Sequence, residues 1–360
     1  MKVLFLGEIS PGQTSYMRMR ALTRLGHEVK GINTIRPWLQ ASWLSRQIQR
    51  RLQVGRVIDI INDEVLKHAR EFRPDLVWAE KQEFLRAETL TELHRLRAKT
   101  VHFTPDPYFT IAWKRTRIMD ETISQFNLLL YCKSYEKRSY EELGKPVFYM
   151  PLGYCDEAHR PMPTDDAQWS CAIGFLGGWE PLRERALHAV AGVGADLKIR
   201  GAYWDFLSDG QWTLRRQIIL KQLAGDEHFR IHYDSLLAKA WQGGEVYGDD
   251  YARALTGARI GIGFLRRTWP DQHTTRSFEI PACGSMLLAD RTKEHNEFFE
   301  EGVEAEYFGS TEEMLDKIAY YTSNEPARRR IAEAGYRRCI EGRYAYIHRI
   351  AAALGHIARA

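Results

Sequence analysis

Residues 271–290, DQHTTRSFEIPACGSMLLAD, concentrate the side chains best suited to holding an anion. Thr274 and Thr275 are good helix N-caps. Residues 276–283 read as a short helix that Gly284 stops, and residues 285–289 as a buried strand. A threonine-capped helix start offers unpaired N–H groups and the positive end of a dipole. Arg276 adds a fixed charge there. Glu279, one turn in, is a poor partner for phosphate but a good acceptor for sugar hydroxyls. Together these residues fit a nucleotide diphosphate with its ribose. They equally fit a plain helix–strand unit whose Arg and Glu form a surface pair, since such pairs are common and weak.

Alternating strands and helices must position this stretch. Residues 2–6, KVLFL, form a buried-strand pattern, followed by a loop, a helix from about Tyr16 to Leu25, a stop at Gly26 and the strand HEVKGI. That is a parallel βαβ unit. Gly7 and Gly12 are spaced wrongly for G-x-G-x-x-G, which disfavours a tightly bound dinucleotide. Further strands are expected at 76–80, 100–104, 127–132 and 147–151, with helices near 56–72, 86–97 and 134–143. The ligand edge of such a sheet lies at the strand C-termini. Gly7, Lys81, Thr104 to Asp106, and Lys133 with Ser134 fall there. The polar stretch 161–169 reads as a linker. A second alternating region follows, with strands at 171–177, 196–201 and 259–265 and helices near 181–191 and 249–258. Residues 205–243 read as an insertion of helical period. Ser310 with Glu313 is a capping box, Pro326 starts another helix, and the last 18 residues form a final one.

The bulk numbers exclude several classes. A chain of 360 residues suggests two domains. Hydrophobic residues at 44% and charged at 27% permit a sizeable core. Basic residues (51) exceed acidic ones (47) by only 4, which argues against a nucleic-acid binder. Five scattered cysteines without a CxxC pair or metal spacing read as reduced thiols of a cytoplasmic protein. The apolar start is too short for a signal peptide, and no run is long enough to span a membrane.

The C-terminal half resembles the group-1-like glycosyltransferase family that includes spore-maturation and spore-coat proteins, a branch related to the retaining GT-B glycosyltransferases. The resemblance is carried by IGFLGGWEPLRERAL (173–187), VYGDDYARALTGARIGIGF (246–264), RSFEIPACGSMLLAD (276–290) and residues 308–338. The N-terminal half is similar in outline, through MKVLFLG, RPDLVWAEK (73–81), FTPDP (103–107) and LGYCDEAHRP (152–161). The resemblance implies an α/β GT-B fold of two Rossmann-like doubly wound domains facing a cleft. Residues 1–163 would be the acceptor side and 164–342 the nucleotide-sugar side. Residues 343–360 would form a helix packing back toward the first domain. Many retaining relatives carry two glutamates separated by seven residues, the second holding the donor ribose. Glu279 matches the second, whereas Asp271 stands where the first would be. The shorter side chain implies a different donor or no direct contact.

The remaining candidates have a bland reading beside the functional one. Gly177 and Gly178 can let backbone N–H groups approach a phosphate, or form a tight turn. Arg183 and Arg185 can neutralise a leaving diphosphate, or lie solvated on a helix. Tyr247 can flank a base, or pack in the core. Asp106 can hold an acceptor hydroxyl or the transferred sugar, or serve a β-turn. Asp106, Asp271 and Arg276 are the candidate catalytic residues. Gly7, Lys81, Gly177, Gly178, Arg183, Arg185, Tyr247, Thr274, Thr275 and Glu279 are candidate substrate contacts. No D-x-D pair stands in a suitable place, so no metal or other cofactor is expected.

Residues 36–56 repeat Trp38, Leu39, Trp43, Leu44, Ile48 and Leu52 at helical spacing beside several arginines. This is either a helix with its apolar face in the core or a peripheral contact with the inner face of an anionic membrane. The expected function is metal-independent, retaining transfer of a hexosyl-type unit from a nucleotide diphosphate sugar. The acceptor would be a glycan, lipid-linked, protein or small-molecule hydroxyl. A nucleotide-sugar epimerase or hydrolase, and a structural or assembly protein that kept the fold, are the competing readings.

Overall fold

The computed structural model describes residues 1–111, 115–164, 166–205, 234–266 and 269–357. They divide into two compact units, Met1–Cys155 with Ala345–Ala360, and Asp156–Tyr344.

The first unit is built on β1 Lys2–Gly7, β2 Glu28–Asn33, β3 Leu76–Glu80, β4 Lys99–Thr104, β5 Leu128–Tyr131 and β6 Val147–Tyr149. All neighbours are parallel, in the order β2-β1-β3-β4-β5-β6. The unbroken apolar runs of β1, β3 and β5 follow from burial on both faces. The strand order turns at β1, which pairs with β2 on one side and β3 on the other. Gly7, the last residue of β1, and Lys81, just past β3, therefore sit where such sheets open a crevice. The helix Thr14–Arg24 carries Arg18, whose guanidinium is buried against Glu80 of β3. The same guanidinium lies 5.0 Å from the ring of Tyr346, on the helix Tyr346–Ile357. That C-terminal helix buries Ile350, Ala353 and Ile357 in this unit, and Tyr346 N donates to Tyr154 O at 2.7 Å.

The second unit holds β7 Cys171–Leu176, β8 Leu197–Arg200, β9 Ala258–Gly263, β10 Met286–Asp290 and β11 Glu306–Phe308. The sheet is parallel throughout, in the order β11-β10-β9-β7-β8. Here the order turns at β7. The crevice edge is thus formed by the residues after β7 and β9, Gly177 onward and Phe264 to Arg266. Gly261 of β9 lets the helix Arg276–Ala282 lie close, because a Cβ there would meet Ile280 at 2.6 Å.

Three expectations are corrected. The stretch 161–169 is not a free linker: Met162 N donates to Thr256 Oγ1 at 3.2 Å, and Trp169 is buried under Arg200. Residues 36–56 make two helices, Arg36–Gln40 and Trp43–Leu52. Trp38 enters the core, but the second helix buries nothing. The capping box at Ser310 receives Glu313 N, yet the Glu313 carboxylate returns to Gly309 N rather than to the cap residue. Of the stretch 205–243, residues 206–233 lie outside the described residues, and Ser235–Ala240 is a helix.

Candidate active site

The second unit gathers positive charge at the end of β7. Gly177 N–H is taken by Arg200 O at 2.9 Å, and Gly177 O by the Trp204 indole at 2.9 Å. The Gly177 amide is therefore unavailable to a ligand, which corrects that part of the double-glycine reading. What the turn requires is close approach: a Cβ on Gly201 (φ +146°) would stand 2.1 Å from Gly177 O. After the turn, Glu180 precedes the helix Pro181–Gly192, which carries Arg183.

Arg183 is buried, and its Nη1 donates to Gly178 O at 3.0 Å. Its Nη2 lies 3.6 Å from Glu180, while its Nε is buried without a hydrogen-bond partner. Arg266, just past β9, reaches the same Glu180 at 3.0 Å. Arg276 donates from Nε to Leu176 O, the last residue of β7. Burial pulls Arg183 down to about 10 against the attraction of Glu180, and the neighbouring Arg276 and Arg266 pull it further. Burial also raises the Glu180 carboxyl above the usual range; Arg183 and Arg266 oppose that rise, while Asp271 adds to it. Three guanidiniums and one carboxylate thus share one edge. Such an edge is poised for an anion with several oxygens.

The loop before Arg276 is pinned from below. Thr274 N donates to Ser277 Oγ at 3.1 Å, Ser277 Oγ meets His295 Nε2 at 2.8 Å, and His295 Nδ1 meets Asp290 O at 2.7 Å. The carbonyl makes Nδ1 the donor, so Nε2 accepts the serine hydroxyl. Burial takes His295 down to about 4, which keeps it neutral. His273 pairs with Glu294 beneath the same loop. The threonine cap does not form. Thr275 is itself in the right-handed helical region and its side chain accepts no cap bond. The first-turn bonds run instead to the carbonyls of Thr274 and Thr275.

Glu279 is buried, not presented openly. Its Oε2 accepts from Tyr251 Oη at 2.5 Å, and its Oε1 lies 3.8 Å from His159 Nε2. Burial pushes the Tyr251 hydroxyl well up, and Glu279 adds to that shift, so Tyr251 stays a donor. Burial lowers His159 against the pull of Glu279, leaving a neutral ring beside the carboxylate. Asp271 is half-buried, with its charge felt at Glu180. Arg185 is exposed. Tyr247 is 51% exposed at the start of the helix Gly248–Gly257, which corrects the core-packing alternative.

In the first unit, Lys81 (φ +54°) directs its Nζ to Asp106 Oδ2 at 3.3 Å. The Asp106 loop is held by Glu136, whose carboxylate accepts the N–H groups of Tyr108, Phe109 and Thr110 at 2.9, 2.8 and 2.7 Å. Lys81, Asp106, Thr104 and His102 line one depression. Gly7, at the neighbouring strand end, leaves room for Ser15, whose Oγ a Cβ would approach to 2.5 Å.

Sequence reasoning missed Glu180, Arg266, Tyr251 and His159. Glu180 and His159 lie inside the stretches that carry the family resemblance, and Arg266 directly follows a legible strand. Tyr251 also lies in such a stretch, but its role comes from a contact 28 positions away.

Two parallel Rossmann-like sheets, each with its crevice at a strand-order turn, define the GT-B fold of glycosyltransferases. Residues 183–355 match the family described as glycosyl transferase-like. No curated protein matches the chain. Solved structures are similar over nearly their whole length. The Anabaena protein Alr3699/HepE, solved with UDP-glucose, aligns with TM-score 0.64 and 14% identity over 100% of both chains. Sucrose-phosphate synthase from Thermosynechococcus elongatus aligns with TM-score 0.64 and 13% identity, over 100% of this chain and 98% of that one. A putative UDP-N-acetylglucosamine 2-epimerase from Listeria monocytogenes aligns with TM-score 0.57 and 11% identity, over 100% and 97%.

Proposed function

We propose that the protein transfers a glycosyl group from a nucleoside diphosphate sugar to an acceptor hydroxyl, with retention at the anomeric carbon and without a metal ion. The observation that carries this reading is the convergence of Arg183, Arg266 and Arg276 on the end of β7, one of them with a buried, unpartnered Nε. In glycosyl transfer the bond from the anomeric carbon to the diphosphate breaks and negative charge grows on the departing oxygen. Preorganised guanidiniums stabilise that charge where it develops and cost no reorganisation. They supply the positive charge that a divalent ion would otherwise bring. Glu279 holds a ribose hydroxyl in this reading, with Tyr251 fixing the carboxylate. Asp271 approaches the donor sugar. Lys81 and Asp106 bind the acceptor on the first unit. The UDP and UDP-glucose bound by HepE support a nucleotide sugar as donor.

The epimerase-like neighbour gives the alternative its footing, because the fold admits sugar-nucleotide chemistry without an acceptor. Nucleoside diphosphate release, followed by chromatography with EDTA present, separates the two. Release that requires an acceptor and yields a glycosylated product supports transfer. Consumption or isomerisation of the donor without any acceptor overturns it.

A further inference from the structure

We propose that the helix Trp43–Leu52 docks the protein on an anionic lipid bilayer. Its apolar side faces away from the protein. The helix buries no residue, and Trp43, Leu44, Ile48 and Leu52 are 60%, 61%, 48% and 60% exposed. Leu44, Ile48 and Leu52 recur every fourth residue and so form one stripe, with Trp43 beside it. Leu39 and Val54 extend the exposed apolar surface at either end.

This orientation is built in, not a consequence of loose packing. Ser42 Oγ caps the helix start by accepting Ser45 N at 3.3 Å. On the inner side, Gln49 Oε1 accepts Val57 N at 2.8 Å while its Nε2 donates to Ser45 Oγ at 2.7 Å. Past the helix end, Gln53 Oε1 accepts Ile118 N at 3.0 Å, and the guanidinium of Arg50 lies 5.0 Å over the buried Trp38. Polar contacts thus anchor the helix and leave the apolar stripe outward.

The charge around the stripe selects the partner. Residues 36–56 contain five arginines, Arg36, Arg46, Arg50, Arg51 and Arg56, and no aspartate or glutamate. A second copy seated on this face by two-fold symmetry would set two such segments against each other without counter-charge. An anionic bilayer offers both what the stripe needs and what the arginines need. The apolar side chains enter the acyl boundary, Trp43 takes the headgroup level, and the exposed Arg51, in line with the stripe, meets lipid phosphates. The segment follows β2 and continues the ligand edge of the first sheet, where Thr34 Oγ1 accepts from Gln82 Nε2 at 2.9 Å. Docking would thus bring the Lys81 and Asp106 edge to the membrane surface. A membrane-resident acceptor is a corollary that rests on the transferase reading; the docking itself does not.

The test is co-sedimentation of the full chain with phosphatidylcholine vesicles, with and without phosphatidylglycerol. Retention is expected on the anionic vesicles only, and it should fall with added salt. Arg51→Gln should weaken binding about fivefold. A triple variant, Leu44→Ala with Ile48→Ala and Leu52→Ala, should abolish retention at unchanged melting temperature, since these side chains are exposed. No retention of the wild type on anionic vesicles would overturn the proposal. So would equal retention of the triple variant, or a solution dimer that the triple variant dissociates.

Discussion

Arg276 and Arg183 reach the end of β7 from different helices, and each is fixed by a backbone carbonyl, Leu176 O and Gly178 O. Fixed guanidiniums act on a developing charge more strongly than mobile ones. Replacing either by alanine should lower kcat/KM by roughly 10²–10³-fold, the scale of losing one charge-stabilising donor. Arg185→Ala, on the exposed side of the same helix, should change neither kinetics nor stability, so steady-state assays of the three variants separate site from surface. Tyr251→Phe leaves one oxygen of a buried carboxylate without its donor. It should weaken donor binding and cost about 1–3 kcal/mol of stability, measured by calorimetry and chemical denaturation. At this scale the sequence was partly legible. Arg183, Arg276 and Glu279 stood out through charge type and resemblance. Arg266, Glu180 and Tyr251 did not, because tertiary contacts rather than local spacing bring them in. Thr275 misled because a good capping side chain sat on a cap residue whose backbone is already helical.

The strands other than β11 were readable, since unbroken apolar runs such as Val3 to Leu6 and Met286 to Ala289 mark a sheet buried on both faces, whereas the short helices Arg117–Thr122 and Lys293–Phe298 were not. What periodicity leaves open is the direction a face points. The helix Trp43–Leu52 has the expected spacing of apolar residues, but its inner side is chosen by Gln49 and its neighbours. Turns carry their own constraints. Gly201→Ala should cost about 3 kcal/mol or more, because a Cβ would collide with Gly177 O at a φ of +146°. Thermal unfolding would show the loss, and donor binding should weaken with it.

Buried histidines add a pH dependence to these elements. Burial holds His295, and His102 of β4, down to about 4. Unfolded histidine takes a proton below about 6.5, whereas these rings remain neutral until much lower pH. Their stabilisation is complete above that unfolded value and is lost as pH falls toward about 4, at most about 3 kcal/mol each. Denaturation midpoints should drop between about pH 7 and pH 5. His295→Gln should flatten that slope. A slope unchanged in the variant would remove His295 from the explanation.

For the whole molecule, the first unit is not one continuous stretch of the chain. The first unit is completed by the last helix, Tyr346–Ile357, which covers the Arg18–Glu80 pair with Tyr346. Truncation before Tyr346 should destabilise the first unit, by exposing Ile350 and its neighbours and by uncovering a buried ion pair. Limited proteolysis of the truncated chain should cut preferentially within residues 1–155. A net charge of +4 over 360 residues conceals uneven local charge, with arginines concentrated at the end of β7 and along residues 36–56.

In the proposed function, the arginine edge of the second unit holds a nucleoside diphosphate. Thermal-shift titration with UDP, GDP, dTDP and their sugar conjugates, with EDTA present, tests it most directly when the wild type is compared with an Arg183→Ala, Arg276→Ala double variant. One nucleotide class should raise the wild-type melting temperature, because a ligand bound only by the native state must do so. The double variant should lose that shift. Equal shifts in both proteins, or none in the wild type at millimolar ligand, would contradict the assignment.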